Sequence, residues 1–165
     1  MINPKEDGIK HINVYSKGKT PLGRFLSNFE RCDLETEDGY FASVEAYWYW
    51  LGCKDEKLRE TWGYKAKQLG RSLGAKDWID DKVFKKKICE AIRYKIMNND
   101  DFLVEFIESS LPFAHYYVFE SDRIAYSIVN ENPEDKIVEP KEGKWIIAFL
   151  ESFRKELKEA RTKIK

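Results

Sequence analysis

The sequence predicts an α+β domain, mostly helical with a few short strands. Helix-period apolar stripes run through most of the chain, and short runs of strand formers sit beside turn residues. The length, 165 residues, is that of one domain. With 10 Phe, 9 Tyr and 5 Trp there is enough apolar surface for a packed core, since each aromatic buries roughly 150–250 Å².

In chain order, residues 1–10 are polar and are expected to be a flexible N-terminus. Residues 11–16 alternate apolar and polar, which is a strand pattern. Residues 17–24, with Gly18, Pro21 and Gly23, read as a loop. Residues 31–41 read as a hairpin turning at Glu37-Asp38-Gly39. Ser43 is a natural N-cap, with Glu45 in the first turn of a helix reaching about Cys53.

Helical spacing resumes at residues 56–69 and is expected to stop at Gly70. Residues 80–97 give a long helix, with Phe84, Ile88, Ala91/Ile92 and Ile96 on one face. A shorter helix fits residues 101–110, and Pro112 closes it. Tyr116-Tyr117-Val118-Phe119 is a strand, and residues 130–144 are a polar loop. The last helix starts near Lys144, with Trp145, Ile146, Phe149, Leu150, Phe153 and Leu157 as its apolar stripe. The domain is placed at residues 11–158, followed by a charged tail at 159–165.

Charge narrows the function classes. Twenty-nine basic residues cancel 29 acidic ones, which argues against a general nucleic-acid coat protein but leaves room for a local basic pocket. Three widely spaced cysteines with no CxxC fit a reducing compartment, and cytoplasmic location is expected. The two histidines have no neighbours in ligand spacing, so neither a metal site nor a Ser-His-Asp triad is expected. No segment reaches the ~20 apolar residues of a membrane span.

Three blocks exceed a core pattern. Gly23-Arg24-Phe25-Leu26-Ser27-Asn28-Phe29 offers an amide, and an Arg able to pair with phosphate. Ser43-Val44-Glu45-Ala46-Tyr47-Trp48-Tyr49-Trp50 sets one carboxylate among four aromatics. Two readings fit Glu45: an acid for cleaving a sugar–base bond, or an anion held by the helix macrodipole. Ala66-Lys67-Gln68-Leu69-Gly70-Arg71 presents Arg71 just past a helix stop, to complement the helix end or to hold an anion. Trp78 is either a core aromatic or a stacking platform, and Asp122 either a turn residue or a second carboxylate.

In this order and spacing, Leu26-Ser27-Asn28-Phe29, Ser43-Val44-Glu45-Ala46-Tyr47, Ala66-Lys67-Gln68-Leu69-Gly70-Arg71, Trp78 and Asp122 resemble the YbiA-like family, also called the NADAR domain. The resemblance covers about residues 14–153. It implies a metal-independent N-glycosidase without a cofactor, cutting a bond between ribose C1 and an amine nitrogen. The implied substrates are ADP-ribosylated guanine in nucleotides or nucleic acid, or ribosylaminopyrimidine phosphates of the riboflavin pathway. It implies Glu45 and Asp122 as catalytic residues, with Asn28, Phe29, Tyr47, Arg71 and Trp78 binding substrate; Arg24, as an arginine able to pair with phosphate, is expected to join Arg71 there.

The chain departs from the family pattern in three places. Gly52 stands where many members carry a lysine, with Lys54 the nearest amine along the helix. Ile124-Ala125-Tyr126-Ser127 replaces a Trp-Gly-x-Gly run, and Glu142-Gly143-Lys144-Trp145 replaces a Gly-x-Asn-x-Leu-Gly element. The missing lysine leaves a competing expectation: a reader that binds ADP-ribose or NAD without turnover. The exposed aromatics allow a third, a protein-interaction module.

Overall fold

The computed structural model describes residues 2–76, 80–119 and 136–164, with backbone alone at Lys136 and Ile164. Its elements are β1 (Ile12–Asn13), α1 (Pro21–Leu26), β2 (Leu34–Thr36), β3 (Gly39–Phe41), α2 (Val44–Cys53), α3 (Gly63–Ser72), α4 (Asp81–Met97), α5 (Asp100–Glu108), β4 (Phe113–Ala114), β5 (Tyr117–Phe119), β6 (Lys136–Val138) and α6 (Gly143–Ile164). The fold is α+β and mostly helical. The strands form three two-stranded pairs: β1 with β4 parallel, β2 with β3 and β5 with β6 antiparallel.

Local chemistry sets the boundaries. Ser43 Oγ accepts the Ala46 N–H at 3.0 Å and donates to the Thr61 carbonyl at 2.9 Å, so one side chain both caps α2 and ties it to the segment before α3. Asp80 Oδ1 caps α4 through the Lys82 and Val83 N–H groups. The β2–β3 hairpin turns at Gly39, whose φ of +100° suits a residue without Cβ.

Several expected boundaries are corrected. Residues 21–26, read as loop, form α1: Thr20 Oγ1 accepts the Gly23 N–H and Pro21 opens the helix with its φ already set. The helix expected over 56–69 is a 3₁₀ turn (Glu56–Leu58) followed, after a break, by α3. That helix runs through Gly70 to Ser72, because Gly70 serves packing: a Cβ there would overlap the Tyr49 ring of α2. The charged tail continues α6 to Ile164, and the loop expected at 130–144 carries β6 in its described part. In the segment expected to be flexible, Pro4–Glu6 forms a 3₁₀ turn and Asp7 is buried.

The core is a layer of helices. Tyr47, Trp50 and Leu51 of α2 meet Phe84, Ile88 and Ile92 of α4, while Phe106, Leu150 and Phe153 join α5 to α6. Each such buried side chain contributes roughly 1.5–3 kcal/mol of transfer free energy. This packing fixes the direction in which the first turn of α2 points. Among the described residues, no helix is long and apolar enough to cross a membrane.

Candidate functional site

A small cavity opens where four connections meet. Tyr15 follows β1; Asn28 and Phe29 follow α1; Glu45 stands in the first turn of α2; His115 and Tyr117 flank the start of β5. Its volume is about 50 Å³, room for a water or two beside the carboxyl.

Glu45 is held at its backbone and left unengaged at its carboxyl. Its N–H donates to the Asn28 carbonyl at 3.0 Å. Among the described residues no donor hydrogen-bonds its carboxylate, nor does the Asn28 side-chain amide find a partner. Burial pushes the Glu45 carboxyl up from 4.5 to about 7, and the charges of Lys67 and Arg71 offset part of that rise. Moving a carboxyl that far corresponds to roughly 3 kcal/mol. The first-turn macrodipole favours the anion by ~0.3–1 kcal/mol, so desolvation wins. At neutral pH Glu45 is therefore divided between acid and base, the condition for proton transfer in either direction.

Sequence reasoning missed the surroundings of this carboxyl. His115 Nδ1 lies 2.6 Å from the Val14 carbonyl, which requires the proton on Nδ1 and leaves Nε2 as an acceptor. Burial lowers the His115 pKa and keeps the ring neutral. Tyr117 lines the cavity, and its hydroxyl is pushed up by burial and by the neighbouring Glu45 charge. Lys67 Nζ sits 5.9 Å from the Tyr117 ring centroid. Arg71, on the same face of α3, lies against the Tyr49 hydroxyl and acts electrostatically on both Glu45 and Tyr117.

The sequence-derived candidates divide into three groups. Asn28, Phe29 and Glu45 line the cavity together; Arg71 is not part of its wall, but its charge acts on Glu45. Tyr47 is no part of it: it is 1% exposed, donates its hydroxyl to Asp38 Oδ2 at 2.6 Å, and borders a different cleft. Two residues along a helix is ~200° of rotation, so Glu45 and Tyr47 cannot face the same way. Arg24 is also absent from the cavity wall; its Nη1 donates to the Gly18 carbonyl at 2.8 Å and braces the 17–20 loop. Trp78 and Asp122 lie outside the described residues. Among the described residues no group of three or more His, Cys, Asp or Glu is placed to hold a metal.

No family model matches the chain, and no curated protein does. Among solved structures it is similar to the NMR structure of the E. coli protein YbiA, with a TM-score of 0.60 and 18% identity. The match covers 99% of this chain and 96% of that one. The chain has the YbiA-like fold, as the motif order implied.

Proposed function

We propose that this protein is a metal-independent N-glycosidase that hydrolyses a ribose C1–N bond, with ADP-ribosylated guanine as its substrate. The observation that carries this is Glu45: a buried carboxyl that accepts no hydrogen bond from any of the described residues, at a cavity with room for water, and with a pKa raised to about 7. As the C1–N bond breaks, positive charge grows on the sugar and the electron pair leaves with the base nitrogen. The Glu45 carboxylate stabilises that charge and takes a proton from the attacking water. The neutral His115 and the Asn28 amide supply hydrogen-bonding groups for the ribose hydroxyls. Lys67 and Arg71, whose charges act on Glu45, are assigned to the substrate's phosphates. Asp122 is assigned to sharing the proton handling and Trp78 to stacking the base, both on the motif resemblance alone.

The test is release of free base from ADP-ribosylated guanosine, NAD and a ribosylaminopyrimidine phosphate, each in parallel with Glu45→Gln. Base released from the first, and lost in the variant, supports the reading. Release from the pyrimidine phosphate alone moves the activity to the riboflavin-type substrate. Saturable ADP-ribose binding without release from any of them makes the protein a reader. One feature favours that second reading: the place where an amine is expected from the resemblance is Gly52, closely covered by the Lys76 backbone.

A further inference from the structure

We infer that Tyr117 is the proton donor to the departing base, so that the Glu45 carboxylate and the Tyr117 phenol divide the two proton transfers of one hydrolysis. This role rests on the glycosidase reading and adds to it a residue that the motif resemblance does not name. Rupture of the C1–N bond sends an electron pair to the base nitrogen, and an uncharged guanine or amine leaves poorly as an anion. Glu45 in its carboxylate form takes a proton from the attacking water, so at that moment it has none to give. A second group at the cavity has to supply one.

The chemistry of the cavity wall narrows the choice. His115 is unsuited: its Nδ1 proton is committed to the Val14 carbonyl at 2.6 Å, and burial keeps Nε2 without a proton. The serine hydroxyls and the Asn28 amide are far weaker acids than a phenol. Two phenols line the cavity, Tyr15 and Tyr117. Tyr117 is the one that feels Glu45. Burial first, and then the Glu45 charge, raise its pKa, so its proton is in place at neutral pH.

The ring of Tyr117 is held and its hydroxyl is not. The ring meets Tyr15 at 5.5 Å and 57°, and His115 at 5.4 Å and 79°. Among the described residues no hydrogen bond engages the hydroxyl. A phenol fixed by its ring turns little, as a donor that must meet one nitrogen requires. Release of the proton is eased by the cations of α3: Arg71 favours the phenolate, and Lys67 Nζ lies 5.9 Å from the ring centroid. The proton circuit closes without a further reactant. The water oxygen bonds to C1 as C1–N breaks. One water proton goes to Glu45, and the Tyr117 proton goes to the base nitrogen. Glu45 then returns its proton to the Tyr117 phenolate through a water in the cavity, which restores both side chains.

The experiment varies the leaving group. Base release is measured with ADP-ribosylated guanosine, with its counterpart methylated at guanine N7, and with NAD. The last two carry a positive charge on the base, which therefore leaves without taking a proton. Tyr117→Phe keeps the ring and removes only the hydroxyl, and thermal unfolding checks that the packing is retained. It should lower kcat on ADP-ribosylated guanosine by about 10²-fold or more and leave the charged-base substrates within a few-fold of wild type. Tyr15→Phe and Asp122→Asn are measured in parallel. A loss in Tyr117→Phe below about ten-fold, an equal loss on every substrate, or the selective loss appearing in Tyr15→Phe or Asp122→Asn instead overturns the donor and leaves the glycosidase reading standing. If the wild type cleaves ADP-ribosylated guanosine alone, the variants decide: a loss confined to Tyr117→Phe upholds the donor, and one shared with Tyr15→Phe overturns it. No base release from any substrate by the wild type removes the reading and this role together.

Discussion

The Asn28 carbonyl accepts the N–H of Glu45 at 3.0 Å, so the two sequence blocks that stood out, 25–29 and 43–50, are one structural unit. The bond is braced from both ends. The Ser27 carbonyl accepts from the buried Lys95 ammonium at 2.8 Å, and Ser43 Oγ ties the start of α2 to Thr61. The carboxyl and the amide of the cavity are therefore held relative to each other by backbone, while neither side-chain end is hydrogen-bonded by another of the described residues.

Glu45→Gln separates catalysis from stability. If Glu45 handles the proton, turnover should fall by about 10²-fold or more, with ligand binding retained. The variant should also be more stable at alkaline pH. The folded pKa, about 7, lies above the ordinary 4.5, so between these values the folded chain holds a proton that the unfolded chain releases. Stability conferred by that proton is present below the window and lost as pH rises through it. Gln removes the penalty, worth up to roughly 3 kcal/mol above pH 7 and nothing at the acid end. Thermal unfolding across this range checks it; parallel wild-type and variant curves would mean the Glu45 carboxyl is solvated after all.

Arg71→Ala tests phosphate recognition. Arg71 makes no ion pair among the described residues, yet its charge registers on Glu45. Its loss should weaken ADP-ribose binding by ~1.5–3 kcal/mol and barely change a phosphate-free ribosyl ligand. Because the guanidinium lowers the Glu45 pKa, its removal should move the acidic limb of the pH–rate profile upward. Calorimetry with both ligands reads the first effect. Equal losses for both would make Arg71 structural, as its contact with Tyr49 would then explain.

What was legible in the sequence is what local chemistry alone decides. Ser43 before an apolar helix, Asp80 before α4 and Asp38-Gly39 between strand formers each place an element end through hydrogen bonds or φ values within a few residues. The same logic held Glu45 at a helix start. The errors came where a residue answers to a distant partner. Gly70 reads as a helix stop but is there to let Tyr49 approach. Tyr47 looks like a neighbour of Glu45 but serves Asp38. His115 carried no signal in sequence, because its partner, Val14, lies 101 residues away. Thr20-Pro21 was a local signal for α1, outweighed by the glycines around it.

Lys95 gives a pH signature of the opposite sign. It is 1% exposed, its ammonium meets the Ser27 carbonyl and the Phe25 ring, and burial pushes it down from 10.5 to about 8. Between those values the unfolded chain binds the proton and the folded chain does not, so stability should rise with pH through the window. Lys95→Met removes that dependence, and the variant should lose ground to wild type by up to roughly 3 kcal/mol from pH 8 to 10.5. Near neutrality the two should be close. The relief of a buried charge is offset there by a Ser27 carbonyl left without its donor, a cost of ~1–3 kcal/mol. Denaturant midpoints at the two pH limits measure it; identical pH dependence would show that Lys95 reaches solvent.

The last prediction concerns the amine that a covalent route through the opened sugar needs. Position 52 cannot provide it. A Cβ on Gly52 would lie 2.6 Å from the Lys76 carbonyl oxygen and 3.2 Å from its nitrogen, and the Lys76 N–H donates to the Gly52 carbonyl at 3.2 Å. Gly52→Lys should therefore destabilise by at least ~1–3 kcal/mol through overpacking, without gaining activity. Lys54 faces elsewhere: it closes α2 in the left-handed region with its ammonium 4.3 Å from the Trp50 ring centroid. Lys67, near Tyr117 and Glu45, is the amine beside the cavity. If hydrolysis runs directly through Glu45 and water, borohydride added during turnover should trap no adduct, and Lys67→Gln should lower affinity for the phosphates more than turnover at saturation. A reduced adduct mapped by mass spectrometry to Lys67 would replace the direct route with a Schiff base formed from α3.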